Sequence, residues 1–218
     1  MTTPLAGRRI VLVVPQFPQL SETFIVTKAV GLLSRGWDIH VVCSASDPRQ
    51  WAAFGTDHAV HALQARVHVA PDLSPGPGLP VRVARSLASL RSAPRPVLRR
   101  YLRDPTSPPV RRVRDLAVDA TIVGLRPEVV HFEFGSLAVG RLALGTRTGA
   151  AVTVSFRGYD LNYVGLDRPD HYREVWDHAA AVHVLGADLW RRAVHRGAPP
   201  GLHHAVIPPA IDVDAIEP

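Results

Sequence analysis

Cysteine occurs once in this chain, lysine once, and glycine not at all in the first loop, where a dinucleotide-binding protein would need it most. The lone Cys43 sits in an apolar run (IHVVCSA), so neither an internal disulfide nor a cysteine-based metal site can form, and the side chain reads as a small buried hydrophobe. No apolar run approaches the roughly 20 residues of a spanning helix. The start, MTTPLAGRRIVLVVP, pairs two arginines with a short apolar stretch and offers no small-residue cleavage site, so a cytoplasmic location without a signal peptide is expected. The 11 histidines are scattered. His58 and His61, and His203 and His204, lack carboxylates at usable spacing, and H-E-x-x-H is missing, so no metal is expected. G-x-S-x-G is missing too, which removes the commonest α/β-hydrolase signal.

What is present is alternation. Continuous β-branched runs, the mark of strands buried on both faces, predict strands at 9–14, 38–43, 66–70, 129–132, 151–155, 181–184 and 205–207. Helical spacing predicts helices beginning at Ser21 and spanning 80–103, 110–125, 136–146, 170–178 and 187–196. The expected fold is therefore α/β: one Rossmann-like parallel sheet with helices on both faces, over residues 1–208. The tail, PPAIDVDAIEP, reads from 209 as a linker.

Charge is unevenly spread. Between Arg66 and Arg126 twelve arginines face four aspartates, a surplus larger than the +6 of the whole chain. Arginines on the 80–126 helices suit either a solvated face or an anionic membrane surface. No aromatic platform is interleaved with them, which argues against nucleic acid.

In a parallel sheet, ligands bind at the carboxyl ends of the strands, and four strand-end loops hold the informative residues. PQFPQLSETF (15–24) contains no G-x-G-x-x-G, disfavouring NAD or FAD, although a helix capped by Ser21, with Glu22 in its first turn, would suit a phosphate or a sugar hydroxyl. In HFEFG (131–135), His131 and Glu133 share one face of a strand, and a carboxylate between Phe132 and Phe134 is expensive to bury without a partner. In SFRGYDLN (155–162), Gly158 admits a ligand close to the backbone, and Arg157 offers a planar fork to phosphate or carboxylate, or else a salt bridge to Asp160 that pins the loop. In VLGADLW (184–190), Gly186 opens a helix.

These loops, in this order, resemble glycosyltransferase family 4, in particular the bacterial exopolysaccharide and lipopolysaccharide subgroup. FPQLSETFI followed by GWDIHVV is similar to its opening, PEVVHFEFG to its D-v-v-H-x-H-f-g segment, VTVSFRGYDLN to f-H-G-x-D, and HVLGADLW through VIPPAIDVDAIEP to the run into its interdomain linker. The resemblance implies the N-terminal, acceptor-side half of a GT-B fold. It implies a retaining, metal-free hexosyltransferase whose nucleotide-sugar donor is held mainly by a C-terminal domain beyond this chain, so that the chain alone would be inactive. It implies no cofactor, and a glycan or lipid-linked acceptor. It puts Glu133 and His131 in the catalytic position, and Gln19, Ser21, Glu22, Thr23, Phe134, Gly135, Arg157, Gly158, Asp160 and Gly186 around the acceptor. Two residues depart from the pattern. Glu133 replaces a histidine and could orient an acceptor hydroxyl; Arg157 replaces another and suits an anionic group. A peripheral place at the inner face of the plasma membrane follows from the same picture. A non-catalytic sugar- or partner-binding module, an epimerase or a phosphorylase would share the fold.

Overall fold

The computed structural model describes residues 7–208 apart from positions 56 and 106; the expected linker at 209–218 lies outside the described residues. Seven strands form one parallel sheet in the order β3-β2-β1-β4-β5-β6-β7. They are β1 (Arg9–Gln16), β2 (Asp38–Ala45), β3 (Val67–Val69), β4 (Val129–Phe132), β5 (Ala151–Phe156), β6 (Ala181–Val184) and β7 (His204–Val206). Every predicted strand is present, and each pairing is parallel.

Alternation along the strands divides the core in two. On one face Ile10, Leu12, Val14, Ile39, Val41 and Cys43 pack against α1 (Thr23–Ser34) and α2 (His58–Gln64). On the other, Val11, Val13, Val130, Phe132, Val152, Val154, Phe156, Val182 and Val184 share a core with α5 (Pro109–Leu125), α7 (Ala143–Thr148), α9 (Arg173–His178) and α10 (Ala187–His195). Helices thus flank both faces. The two helices on the first face cover its β1–β3 half. The β4–β6 half of that face carries His131, Glu133, Thr153, Ser155, Arg157 and His183, the positions that alternate with the apolar ones.

Local chemistry moves several helix boundaries. The run expected to be helical over 80–103 splits into α3 (Leu79–Ala88), a 3₁₀ turn and α4 (Arg95–Leu102), because Pro94 lacks an N–H and forces Ala93 into extended backbone. The helix expected at 136–146 breaks into α6 (Gly135–Ala138) and α7 around Gly140, whose φ of +76° no continuing helix allows. The freed amides of Gly140 and Leu142 donate to the Glu174 carboxylate at 2.9 and 3.1 Å. Ser21 does not cap α1: a 3₁₀ turn over Leu20–Glu22 precedes it, and the helix starts at Thr23. A short helix α8 (Gly158–Asn162), not foreseen, follows β5.

The arginine-rich segment forms a helical layer in which α3 and α4 lean on α5, with Tyr101 and Val123 buried between them. Its arginines divide by role. Arg82 donates to the backbone oxygens of Asp72 and Ser74, and Arg112 to those of Leu102 and Ser107, so these two pin loops. Arg91, Arg99, Arg103, Arg111 and Arg114 remain at the surface. No helix among the described residues is long and apolar enough to cross a membrane.

Candidate functional site

The strand order reverses between β1 and β4, and the crevice outside the carboxyl ends of strands at such a switch point is where open α/β sheets bind ligands. Three charged side chains meet there. Glu133, just past β4, has a side chain with no solvent exposure. Its Oε1 is ion-paired with Lys28 Nζ from α1, and its Oε2 accepts from Arg157 Nη2, just past β5, at 3.1 Å. Desolvation of Glu133 opposes ionisation, but His131 and Lys28 together hold its pKa far below the ordinary carboxylate range. Burial conversely pulls Lys28 downward, against the attraction of Glu133. The guanidinium of Arg157 also lies over the Phe24 ring, 4.4 Å from its centroid.

Lys28 and Arg157 line a cavity of about 620 Å³ between α1 and strands β4–β6. Glu22, Phe24, Phe134, His131 and His183 complete most of its wall, and Glu133 lies beneath that wall, holding two of the residues on it. On α1, Phe24, Thr27, Lys28, Gly31 and Arg35 face the cavity as one stripe at helical spacing. Glu22 sits at the entrance to this helix. Burial raises its pKa, with Arg157 opposing and Glu133 reinforcing the rise.

Under the cavity runs a row of hydrogen bonds across three strands. Thr153 Oγ1 meets His131 Nδ1 at 2.8 Å, and His131 Nε2 meets Ser155 Oγ at 3.0 Å. Ser155 Oγ meets His183 Nδ1 at 2.8 Å, and His183 Nε2 meets the Ile207 carbonyl at 3.0 Å. A carbonyl can only accept, so His183 donates from Nε2. With both rings neutral, Ser155 must donate to His183, His131 must donate to Ser155, and Thr153 must donate to His131. Burial lowers the pKa of both histidines, consistent with neutral rings. In this state neither nitrogen of His131 has a lone pair to spare; its Nε2 also lies 3.8 Å from Glu133 Oε1.

The remaining sequence-derived candidates play varied parts. Asp160 is fully buried and accepts from the amides of Ser136 (2.9 Å) and Arg157 (3.0 Å), tying together the starts of α6 and α8. The Arg157 guanidinium goes to Glu133, a partner the sequence did not suggest, and the salt bridge to Asp160 that was one expectation for it is replaced by a hydrogen bond from the Arg157 backbone amide. Gly135 is buried where a Cβ would run into the Phe156 ring, which makes it a packing residue beneath the rim. Phe134 lines the cavity; Gln19 and Ser21 lie in the turn that leads into α1, and Thr23 is the first residue of that helix. Gly158 opens α8 and Gly186 precedes α10, both on the same rim. Lys28 escaped the sequence reading, although one signal marked it: it is the only lysine among 25 basic side chains. Among the described residues no group of three or more His, Cys, Asp or Glu could hold a metal ion.

No protein-family model and no curated protein matches the chain. Among solved structures it is similar to a UDP-N-acetylglucosamine 2-epimerase at 11% sequence identity and a TM-score of 0.44, covering 92% of this chain and 48% of that one. The chain therefore spans about half the length of that enzyme.

Proposed function

We propose that this chain is the acceptor-binding half of a retaining, nucleotide-sugar-dependent glycosyltransferase of the GT-B type, resembling family 4, whose donor would be bound by a second half outside this chain. The single observation that carries this reading is the meeting of Lys28, Glu133 and Arg157 at the strand-order reversal, on the wall of a cavity large enough for a sugar. The order of the four rim loops in the sequence supports it independently.

In this reading the chain's own groups bind and orient the acceptor. Glu133 acts as a positioning residue: its buried charge fixes the ammonium of Lys28 and the guanidinium of Arg157, and these present spare donors to an anionic or hydroxyl-rich acceptor. His131, locked by Thr153 and Ser155, stands with its Nε2 3.8 Å from the Glu133 oxygen that pairs with Lys28 and closes that side of the carboxylate. The donor sugar and its nucleotide would be held from the opposite wall of the cleft. The reading extends to a partner surface, because exposed Leu102, Val110 and Val113 stand among Arg99, Arg103, Arg111 and Arg114, a mixture of apolar and cationic side chains suited to an anionic bilayer.

The test is nucleotide-sugar turnover by the protein in its complete natural form, with a panel of glycan and lipid-linked acceptors. Arg157→Ala is expected to lower turnover at least tenfold. Wild-type turnover in both Arg157→Ala and Glu133→Gln, or no consumption of any nucleotide sugar, would overturn the reading.

A further inference from the structure

Two polar atoms of opposite kind stand unpaired on the wall of the cavity. Glu22 Oε2, which can only accept, and Arg157 Nε, which can only donate, are both buried and have no hydrogen-bond partner among the described residues. Both side chains line the same cavity. They do not satisfy each other, since Arg157 is drawn to Glu133 through Nη2 and lies over Phe24. Buried polar atoms are overwhelmingly paired in native proteins, so an orphan acceptor and an orphan donor on the wall of one cavity call for a chemical explanation. The group that answers both at once is one that donates one hydrogen bond and accepts another: a ligand hydroxyl, or the water that such a hydroxyl displaces.

The surroundings narrow the class further. Phe24, Phe134, Leu185 and Ile207 give the cavity an apolar lining, and Glu22, Lys28, Arg157, His131 and His183 add polar groups to it. A pyranose has the same division, with an apolar C–H face and a rim of hydroxyls. The charged and titratable groups facing Glu22 from the packed elements are Lys28 and Arg35 of α1, His131 and Glu133 at β4, Arg157 at β5 and His183 at β6. Together they leave the Glu22 oxygen without a dedicated counter-ion of its own.

We propose that Glu22 and Arg157 form a hydroxyl-binding subsite, in which one pyranose hydroxyl donates to Glu22 Oε2 and accepts from Arg157 Nε–H. This rests on the acceptor reading above and makes Glu22 the cavity-facing carboxylate, with Glu133 as the buried support of Arg157. The upward pull of burial on the Glu22 pKa fits a carboxylate whose hydrogen bonds are supplied by a ligand.

The experiment is a titration of this chain with methyl pyranosides of glucose, galactose, mannose and N-acetylglucosamine, and with their singly deoxygenated analogues, followed by amide NMR. Wild type, Glu22→Ala and Glu22→Gln are compared. At least one pyranoside should bind wild type, Glu22→Ala should weaken it about tenfold or more, and removing one particular ligand hydroxyl should weaken wild type but add nothing to Glu22→Ala. Glu22→Gln, which keeps an acceptor oxygen, should fall between the two. Glu22 ends the short turn that precedes α1, and amide spectra unchanged away from residues 17–28 would establish that both variants fold. Binding of pyranosides with equal affinity by wild type and Glu22→Ala would overturn this inference alone. Failure of every pyranoside to bind wild type would overturn the acceptor reading and the inference with it.

Discussion

Replacing Glu133 by Gln tests the arrangement at its centre. The change keeps the shape of the side chain and removes its charge, leaving Lys28 and Arg157 opposed across a buried amide. Breaking a buried ion pair by removing one partner costs about 3–5 kcal/mol, because the surviving charge is left uncompensated. Two features lower the figure here. Lys28 retains 33% of its side-chain exposure, so water recovers part of its hydration, and the Gln carbonyl still accepts one hydrogen bond. The expected loss is therefore about 2–3 kcal/mol, which in a domain of this size corresponds to a Tm lower by about 4–12 °C. Urea unfolding at pH 7 should show a lower midpoint with an unchanged m-value.

The pH dependence of that loss carries a sign. The folded pKa of Glu133 is depressed, so its contribution is fully present above the unfolded carboxylate pKa of about 4.3 and disappears as pH falls toward the depressed value. The gap between wild type and Glu133→Gln should stay constant from pH 7 to about 5 and narrow on further acidification. Adding Lys28→Met to Glu133→Gln should restore part of the loss, because it removes one of the two opposed cations. A difference below about 1 kcal/mol at pH 7, a gap that widens in acid, or simple additivity of the two substitutions would refute the view that Glu133 is what holds the cations.

Two further expectations concern other parts of the molecule. Burial lowers the pKa of His40, His68, His131 and His183, so the unfolded chain takes up protons first as pH drops below about 6.5. Stability should fall between pH 7 and pH 5, and His183→Gln should flatten the slope of the urea midpoint over that range; a slope unchanged by the substitution would contradict the neutral, hydrogen-bonded ring. At the arginine-rich layer, the chain should sediment with vesicles containing anionic lipid and be released as salt rises, with Arg111→Glu/Arg114→Glu abolishing the effect. Binding that ignores salt or survives the double substitution would leave these helices as an ordinary solvated face.

The sheet was legible because each strand is a short apolar run with turn residues after it, and a strand buried on both faces has few other ways to be written. The loops that would share a rim were legible for the same reason, since parallel strands put all their carboxyl ends on one side. What could not be read was who meets whom across the rim. The burial problem of Glu133 was visible between two phenylalanines, but its solution, Lys28, sits on a different element far away in sequence. Its place in the pattern Phe24, Lys28, Gly31, Arg35 acquires meaning only when the residue just past β4 is brought against α1. The start of α1 was misplaced because Ser21 carries cap chemistry that the preceding 3₁₀ turn leaves unused. The long helix expected at 80–103 failed because apolar periodicity persisted through Pro94, where the backbone could not follow it.

The row of hydroxyls and imidazoles across β4–β6 has a direction, like a line of compass needles, because the Ile207 carbonyl at its far end sets the sense of every proton in it. Displacing that one oxygen would erase the direction at both rings together. Nitrogen NMR of His131 would then register, as a mixture of tautomers, whether the chain just beyond β7 is seated, so the floor of the cavity keeps a record of events at the sheet's far edge.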